Sequence, residues 1–304
     1  MAAVLPGQRA LSGAAFATLL LIALMMGSNH VAARIAFNHG ADVATAVVFR
    51  SLVTASVIVA ILVSQGVQVR FTARARRFLP VIGLLIGVQS LCLYSAVARL
   101  PVALALLAFN TYPLWTALWA RVVYKQKPER AVLVAMPVIL FGLALALDVL
   151  GAASGLGAAG QWSRIGAGVA FALAAAGTFG MALVLTQHET ADVDGRVRTA
   201  STMGIAGAVA LATVALQGGP HFPQDAAGWG GLAALTFLYG TAFTIMFTVL
   251  PRLGVVGNSA IMNVEPVFAL VLAWLLLGQA IAAIQVVGAL VVVGTVMVLG
   301  MRRR

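Results

Sequence analysis

Long apolar runs follow one another along almost the whole chain, and a short polar stretch separates each run from the next. Each is close to the ~20 residues that an α-helix needs to cross a hydrocarbon core, whereas a membrane β-barrel has alternating segments of about 10 residues. The pattern therefore predicts an all-α integral membrane protein with ten transmembrane helices. The runs are 15–36, 43–64, 78–98, 101–122, 131–150, 164–187, 199–216, 229–250, 256–277 and 280–300.

Composition agrees with this prediction. Of the 304 residues, 62% are hydrophobic and only 9% are charged, whereas soluble domains have about 25% charged residues. The chain has too few charges to cover itself with a polar surface, so membrane lipid is its predicted surroundings.

Most basic residues follow even-numbered helices, and the loop 217–228 on the other side has no lysine or arginine. Because positive charge collects in cytoplasmic loops, we expect both termini in the cytoplasm, which agrees with an even helix count. The net charge of +11 is thus explained by orientation in the membrane, and no nucleic-acid partner is expected. These basic residues are Arg70, Arg74, Arg76, Arg77, Arg121, Lys125, Lys127, Arg130, Arg196, Arg198, Arg252 and Arg302 to Arg304.

The two halves of the chain resemble each other when one is shifted by 153 positions. Arg99 then falls on Arg252, Asn110 on Asn263 and Pro113 on Pro266. We therefore expect two five-helix repeats, residues 1–150 and 160–304. Because five is odd, the two repeats must be inverted relative to each other, a design in which secondary transporters place their site at the repeat interface.

The ten helices, the five-plus-five repeat and the segment "NVEPVFALVLAWLLLGQ" resemble the EamA-type members of the drug/metabolite transporter superfamily. The sharpest element is Glu265-Pro266, followed by Gly278 at the helix end. The family usually has an acidic residue after this glycine, whereas this chain has Gln279.

The resemblance implies export of metabolites, often amino acids, across the bacterial inner membrane. It also implies a cavity lined by central helices, including the third, fourth, eighth and ninth, with the fifth and tenth at the periphery. Within the superfamily the chain is most similar to the aromatic amino acid exporters. The expected cargo is therefore amino acids and related metabolites, moved by alternating access.

Polar groups inside spans are expensive and usually face a cavity or a partner. Glu265 could bind an amino group or carry a proton, or it could bond to backbone freed by Pro266. Asn110 and Asn263 could contact a zwitterion or tie helices together. The predicted substrate-binding residues are Asn29, His30, Gln89, Tyr94, Asn110, Tyr112, Trp115, Tyr239, Asn263 and Glu265.

The sequence leaves two roles open for each of His30, Arg50 and the aromatic candidates. His30 could couple transport to protons or simply pack, and Arg50 could hold a carboxylate, although snorkelling or internal pairing is favoured. The aromatic candidates could line the cavity or belong to interfacial belts. Candidate hinges are the helix-loosening positions Gly27, Pro113, Gly240 and Pro266.

Enzyme chemistry has little support in the sequence. The chain has no GxxxxGK[ST] loop and no HExxH or other metal-ligand spacing, and Cys92 is its single cysteine. We expect no enzyme activity, no cofactor and no metal, and the sequence predicts no oligomeric state. The alternatives to a metabolite transporter are a lipid flippase, a structural membrane subunit and, less favoured, a membrane-embedded enzyme.

Overall fold

The computed structural model describes residues 13–69, 71–127, 130–249, 264–279 and 282–302. The spans of the described part are all helical, and the predicted apolar runs, apart from the ninth, each coincide with a helix or a helix pair. Asn263 and the first half of the predicted ninth helix lie outside the described residues. The helices are α1 (Gly13–Asn38), α2 (Val43–Ser64), α3 (Ala73–Arg99), α4 (Val102–Phe109), α5 (Tyr112–Tyr124), α6 (Arg130–Ala146), α7 (Gly157–Glu189), α8 (Gly195–Leu216), α9 (Ala226–Thr248), α10 (Glu265–Leu277) and α11 (Ala283–Arg302).

Seven stretches of the described chain are long and apolar enough to cross a membrane. They are α1, α2, α3, α4 together with α5, α7, α8 and α9, and three shorter apolar helices are α6, α10 and α11. The chain is therefore a multi-pass membrane protein.

The predicted fourth span, 101–122, is found as Val102–Tyr124, but its helix is interrupted at Asn110 and Thr111. α4 ends at Phe109 and α5 begins at Tyr112. Pro113 in the first turn of α5 contributes to the interruption, since proline has no N–H to donate to the Phe109 carbonyl. The Thr111 hydroxyl donates to the Ala108 carbonyl at 2.8 Å.

α5 and α10 are matching helices, 153 positions apart. Each has 13 residues and a proline in its first turn. α5 is followed by Lys125 in the left-handed conformation (φ 55°) and α10 by Gly278 (φ 62°). The duplication seen in the sequence thus has a counterpart in local structure.

One end of the bundle, which we call the basic end, contains the junctions α2–α3 and α7–α8. There Glu189 at the end of α7 accepts hydrogen bonds from Arg74 and Tyr124, and Arg196 donates to Gln65. The His188 ring stacks on the Tyr124 ring with centroids 4.0 Å apart. These contacts tie α3, α5 and α7 together.

The opposite end, which we call the histidine end, joins the α1–α2 turn to the α8–α9 loop. His39 Nδ1 lies 2.6 Å from Asp225 Oδ2. Asp42 accepts from the backbone N–H groups of Thr45 and His221, each at 2.8 Å. Burial opposes ionisation of Asp42, but these hydrogen bonds outweigh it and hold its pKa below the ordinary value.

Small residues on α3 let it pack closely against a neighbouring helix. A Cβ at Gly83 would lie 2.7 Å from the Ile205 Cβ on α8, and one at Gly87 would lie 3.2 Å from the Ala206 Cα. α3 therefore lies directly against α8. The other principal pairs are α3 with α7, α2 with α8, α1 with α9 and α6 with α11.

Candidate functional site

A close polar contact inside the bundle connects α1 to the start of α10. His30 Nε2 lies 3.2 Å from Glu265 Oε1, and the two side chains are 3% and 23% exposed. Glu265 is the first residue of α10, where the helix dipole favours a negative charge. Gly27 permits this approach, because a Cβ there would lie 3.0 Å from the Glu265 carbonyl oxygen and 3.1 Å from the Ala269 nitrogen.

Tyr94 of α3 extends this pair. Its hydroxyl donates to Asn29 Oδ1 at 2.8 Å, and its ring meets the His30 ring edge-on with centroids 5.6 Å apart. Tyr94 is completely buried, so the hydroxyl has a protein partner in place of water. The structure thus brings four predicted site residues together, since Tyr94 and Asn29 adjoin His30 and Glu265.

Arg50 of α2 completes the arrangement. Its Nη2 donates to Ser90 Oγ at 2.6 Å, and its Cζ lies 4.7 Å from the Tyr94 ring centroid and 4.0 Å from that of Tyr239. Both rings present a cation–π geometry. The favoured expectation that Arg50 snorkels to the interface or pairs within the protein is wrong in its first part, because the side chain is 3% exposed.

Arg50 does pair within the protein, through Ser90 and the Tyr94 and Tyr239 rings, but not with a carboxylate of the described residues. Among the described residues Arg50 makes no ion pair, and its Nε has no hydrogen-bond partner. The chain has eight acidic residues, and among those that the structure describes only Glu265 contacts a member of this group, His30. The others are Asp42, Glu129, Asp148, Glu189, Asp192, Asp194 and Asp225, of which Glu129 lies outside the described residues.

We call this group the polar cluster; its members are Asn29, His30, Arg50, Ser90, Tyr94, Tyr239 and Glu265. Several of its buried polar atoms lack partners in the described part of the chain. Unsatisfied buried groups are rare and point to a ligand, an ion or water. The unpartnered atoms of the cluster are Asn29 Nδ2, His30 Nδ1 and Arg50 Nε. Elsewhere in the described part of the chain the unpartnered atoms are Arg34 Nε, Ser51 Oγ, Thr54 Oγ1 and Asn110 Nδ2.

Tyr112 and Trp115 lie in a separate aromatic cluster formed by α4, α5 and α7. The ring centroids of Phe109, Tyr112 and Phe179 are 5.2–5.6 Å apart. The Trp115 ring lies 3.6 Å from the position that a Cβ of Gly177 would take.

The remaining predicted residues have varied positions. Gln89 accepts from Ser90 at 3.4 Å, and Asn110 is buried at the α4–α5 break. Among the candidate hinges, Pro113 and Pro266 lie in the first turns of α5 and α10, whereas Gly27 and Gly240 lie inside continuous helices.

The list of predicted site residues did not include Arg50 or Ser90. The sequence does indicate Arg50 as a site residue, because it is a lone arginine in an apolar span and nearly all acidic residues that could neutralise it are in loops. No sequence signal distinguished Ser90 from other small polar residues. In the described part of the chain no group of three or more His, Cys, Asp or Glu side chains is placed to hold a metal ion.

Comparison with known proteins gives a family and a fold. The model of the EamA-like transporter family matches the chain twice, over residues 12–147 and 166–301. A solved structure titled "Crystal structure of protein" is 19% identical, with a TM-score of 0.61, and the match covers 96% of this chain and 100% of that one. No curated protein matches the sequence.

Proposed function

Because the chain belongs to the EamA-like transporter family, whose members are membrane transporters and not enzymes, we propose that it is a secondary transporter for amino acids and related small metabolites, aromatic ones included. The observation that carries this proposal is the polar cluster. Its ionisable and amide groups are buried between long apolar helices, and such groups in a membrane protein usually serve a transport pathway.

The two halves of this transporter form an inverted repeat. The packing supports this, because α1 contacts α9 and α10 as α7 contacts α3 and α5. Gly27 fits against the backbone of Ala269, and Gly180, 153 positions later, fits against the backbone of Thr116, which itself lies 153 positions before Ala269. A two-fold relation between the halves places the polar cluster at their interface, as in other transporters built from inverted repeats.

Transport follows from opening the two ends in turn. The basic end is fastened by Glu189 with Arg74 and Tyr124, and the histidine end by His39 with Asp225. The polar cluster is formed by helices that run between these two ends. Rocking of one half against the other would release one fastening while the other holds.

We place the basic end in the cytoplasm of a bacterium, with both termini on that side and the protein in the inner membrane. The support is charge, because α3 begins with Arg74, Arg76 and Arg77 and α8 with Arg196 and Arg198. Positive residues near span ends favour the cytoplasmic side. Export is then movement of cargo from the basic end to the histidine end.

The proposal is tested by uptake into proteoliposomes that contain the purified protein. Radiolabelled tryptophan, phenylalanine, threonine and methionine are supplied with and without a pH gradient. Uptake above that of empty liposomes is expected for at least one of them, and acceleration by the gradient would identify proton coupling. Folded protein that takes up none of the four contradicts the amino-acid assignment.

A further inference from the structure

Arg50 is buried, and no carboxylate of the described residues pairs with it. The guanidinium cannot lose its proton in a protein, and it is 3% exposed with its Nε unpartnered among the described residues. None of the residues outside the described ranges brings a carboxylate into a predicted span, since the only acidic one is Glu129 in the loop between α5 and α6. A buried charge without a partner is strongly destabilising, so an anion from outside the chain is needed for full neutralisation.

The surroundings of Arg50 suit a small carboxylate. Ser90 and the Tyr94 and Tyr239 rings fix the guanidinium plane from two helices. A guanidinium has five donors in a rigid fork and binds carboxylates through two parallel hydrogen bonds. Ser90 accepts from Nη2, and Nε has no partner among the described residues, so Nε is left to donate to an incoming carboxylate oxygen.

A positive group on the same ligand would find Glu265. The Tyr94 ring adjoins both sides of the cluster, because its centroid lies 4.7 Å from Arg50 Cζ and 5.6 Å from the centroid of His30, the ring that contacts Glu265. Glu265 is the partly exposed member of the His30 pair, which leaves carboxylate oxygen accessible to an ammonium group.

Apolar side chains pack around Tyr239, which lies beside Arg50. Tyr239 and Met203 are buried together with Ala55, and Met26, Ile86 and Phe243 pack against them while partly exposed. Methionine and aromatic side chains adapt to varied apolar ligands. Met203 stands 153 positions after Arg50, so the second repeat has a thioether where the first has the charge.

We infer that Arg50 binds the carboxylate of the cargo and that Glu265, oriented by His30, receives its ammonium group, so that the site selects zwitterionic amino acids with apolar side chains. This inference rests on the proposed transport function and narrows its cargo. It also assigns the unpartnered Arg50 Nε, which the protein alone leaves unexplained.

The first test uses the wild-type protein and equilibrium dialysis with radiolabelled phenylalanine. Competitors are phenylalaninamide, which lacks the carboxylate, 3-phenylpropionate, which lacks the ammonium group, and phenethylamine. We expect phenylalaninamide and 3-phenylpropionate to compete at least tenfold more weakly than unlabelled phenylalanine. Equal competition by the amide would overturn the role of Arg50, and equal competition by 3-phenylpropionate would overturn the role of Glu265.

The second test compares Arg50→Gln, Arg50→Lys and Arg99→Gln. Arg99 is an exposed arginine over the Phe171 ring, outside the polar cluster, and its variant is the matched control. Arg50→Gln should weaken phenylalanine binding at least tenfold and remove the preference for acid over amide. Arg50→Lys should bind phenylalanine more weakly than the wild type but more tightly than Arg50→Gln, because lysine keeps the charge but not the two parallel donors of arginine. Arg99→Gln should bind as the wild type does.

Each outcome bears on the inference separately from the transport function. A folded Arg50→Gln protein that keeps the preference for acid over amide overturns the inference. The dialysis is also repeated with sulfate in place of chloride, and a result that identifies chloride as the partner of Arg50 overturns the inference as well. If Arg50→Gln does not fold, the wild-type competitor series decides alone. Uptake of phenylalanine and its amide at equal rates would leave a transporter without this selectivity, whereas no uptake of any solute would contradict the transport proposal itself.

Discussion

At the scale of single residues, Tyr94 is the contact point of the polar cluster. It bonds Asn29 through its hydroxyl and offers its ring to both His30 and Arg50. The hydroxyl of Tyr239, by contrast, reaches only the Met203 sulfur at 3.7 Å. The rings of both tyrosines therefore contact Arg50, but only the Tyr94 hydroxyl makes a hydrogen bond that should contribute clearly to stability.

This difference gives a paired prediction. Tyr94→Phe leaves Asn29 buried without its donor, which costs about 1–3 kcal/mol of stability, whereas Tyr239→Phe loses only a weak contact. Thermal unfolding in detergent should therefore show a clearly lower Tm for Tyr94→Phe alone. Equal Tm values for the two variants would contradict the hydrogen-bond assignment.

Glu265 gives a second prediction at this scale. Glu265→Gln keeps the size of the side chain but removes the charge that faces His30 and the cargo. Phenylalanine uptake should fall about tenfold, equivalent to about 1.4 kcal/mol. Asp192→Asn is the matched control, since Asp192 is an exposed acid outside the cluster, and unaltered uptake by Glu265→Gln would exclude a role for the carboxylate.

At the scale of elements, the hydrophobic pattern predicted the helices well because each apolar run has the length of a span. It did not predict the interruption at Asn110, since the apolar run continues on both sides of this residue and Pro113 alone does not specify a break. Nor could it predict which polar residues meet: Tyr112 and Trp115 have the same residue types as Tyr94 and Tyr239, but the packing of α5 on α7 directs them to another cluster.

Close helix contacts predict the effect of adding a methyl group. Gly27→Ala and Gly180→Ala would place a Cβ within about 3 Å of backbone atoms on the facing helix, and overpacking of this kind typically costs 1–3 kcal/mol. In thermal unfolding, Gly204→Ala should leave Tm unchanged or raise it, because nothing lies within 4 Å of the position that its Cβ would take. A Tm for Gly27→Ala at or above that of Gly204→Ala would contradict the close approach of α1 and α10.

The histidine end predicts an acid dependence. The lowered pKa of Asp42 means that its stabilisation is complete above the unfolded-state value of about 3.9 and is lost as the pH falls through the lower folded value. Asp42→Asn should therefore reduce Tm at pH 7 and flatten the fall of Tm below pH 4. The fall will not vanish, since the hydrogen-bonded Asp148, Asp194 and Asp225 also have lowered pKa values.

At the scale of the whole molecule, two matching halves enclose chemically different surroundings. His30 and Arg50 of the first repeat correspond to Leu183 and Met203 of the second, while Glu265 corresponds to Tyr112. The scaffold is thus duplicated, but most of the polar cluster comes from the first repeat. Sequence shift alone reveals this asymmetry, whereas the convergence of these side chains on one place follows only from the packing of α1, α2, α3, α9 and α10.

The central claim is that one site between the halves faces each side of the membrane in turn. The most direct measurement is counterflow: proteoliposomes are loaded with unlabelled phenylalanine and diluted into a trace of labelled phenylalanine. A carrier of this design should accumulate label transiently above equilibrium, and Glu265→Gln should reduce this overshoot. Label that enters no faster in loaded than in unloaded vesicles, with protein shown to be folded, would contradict alternating access to an amino-acid site.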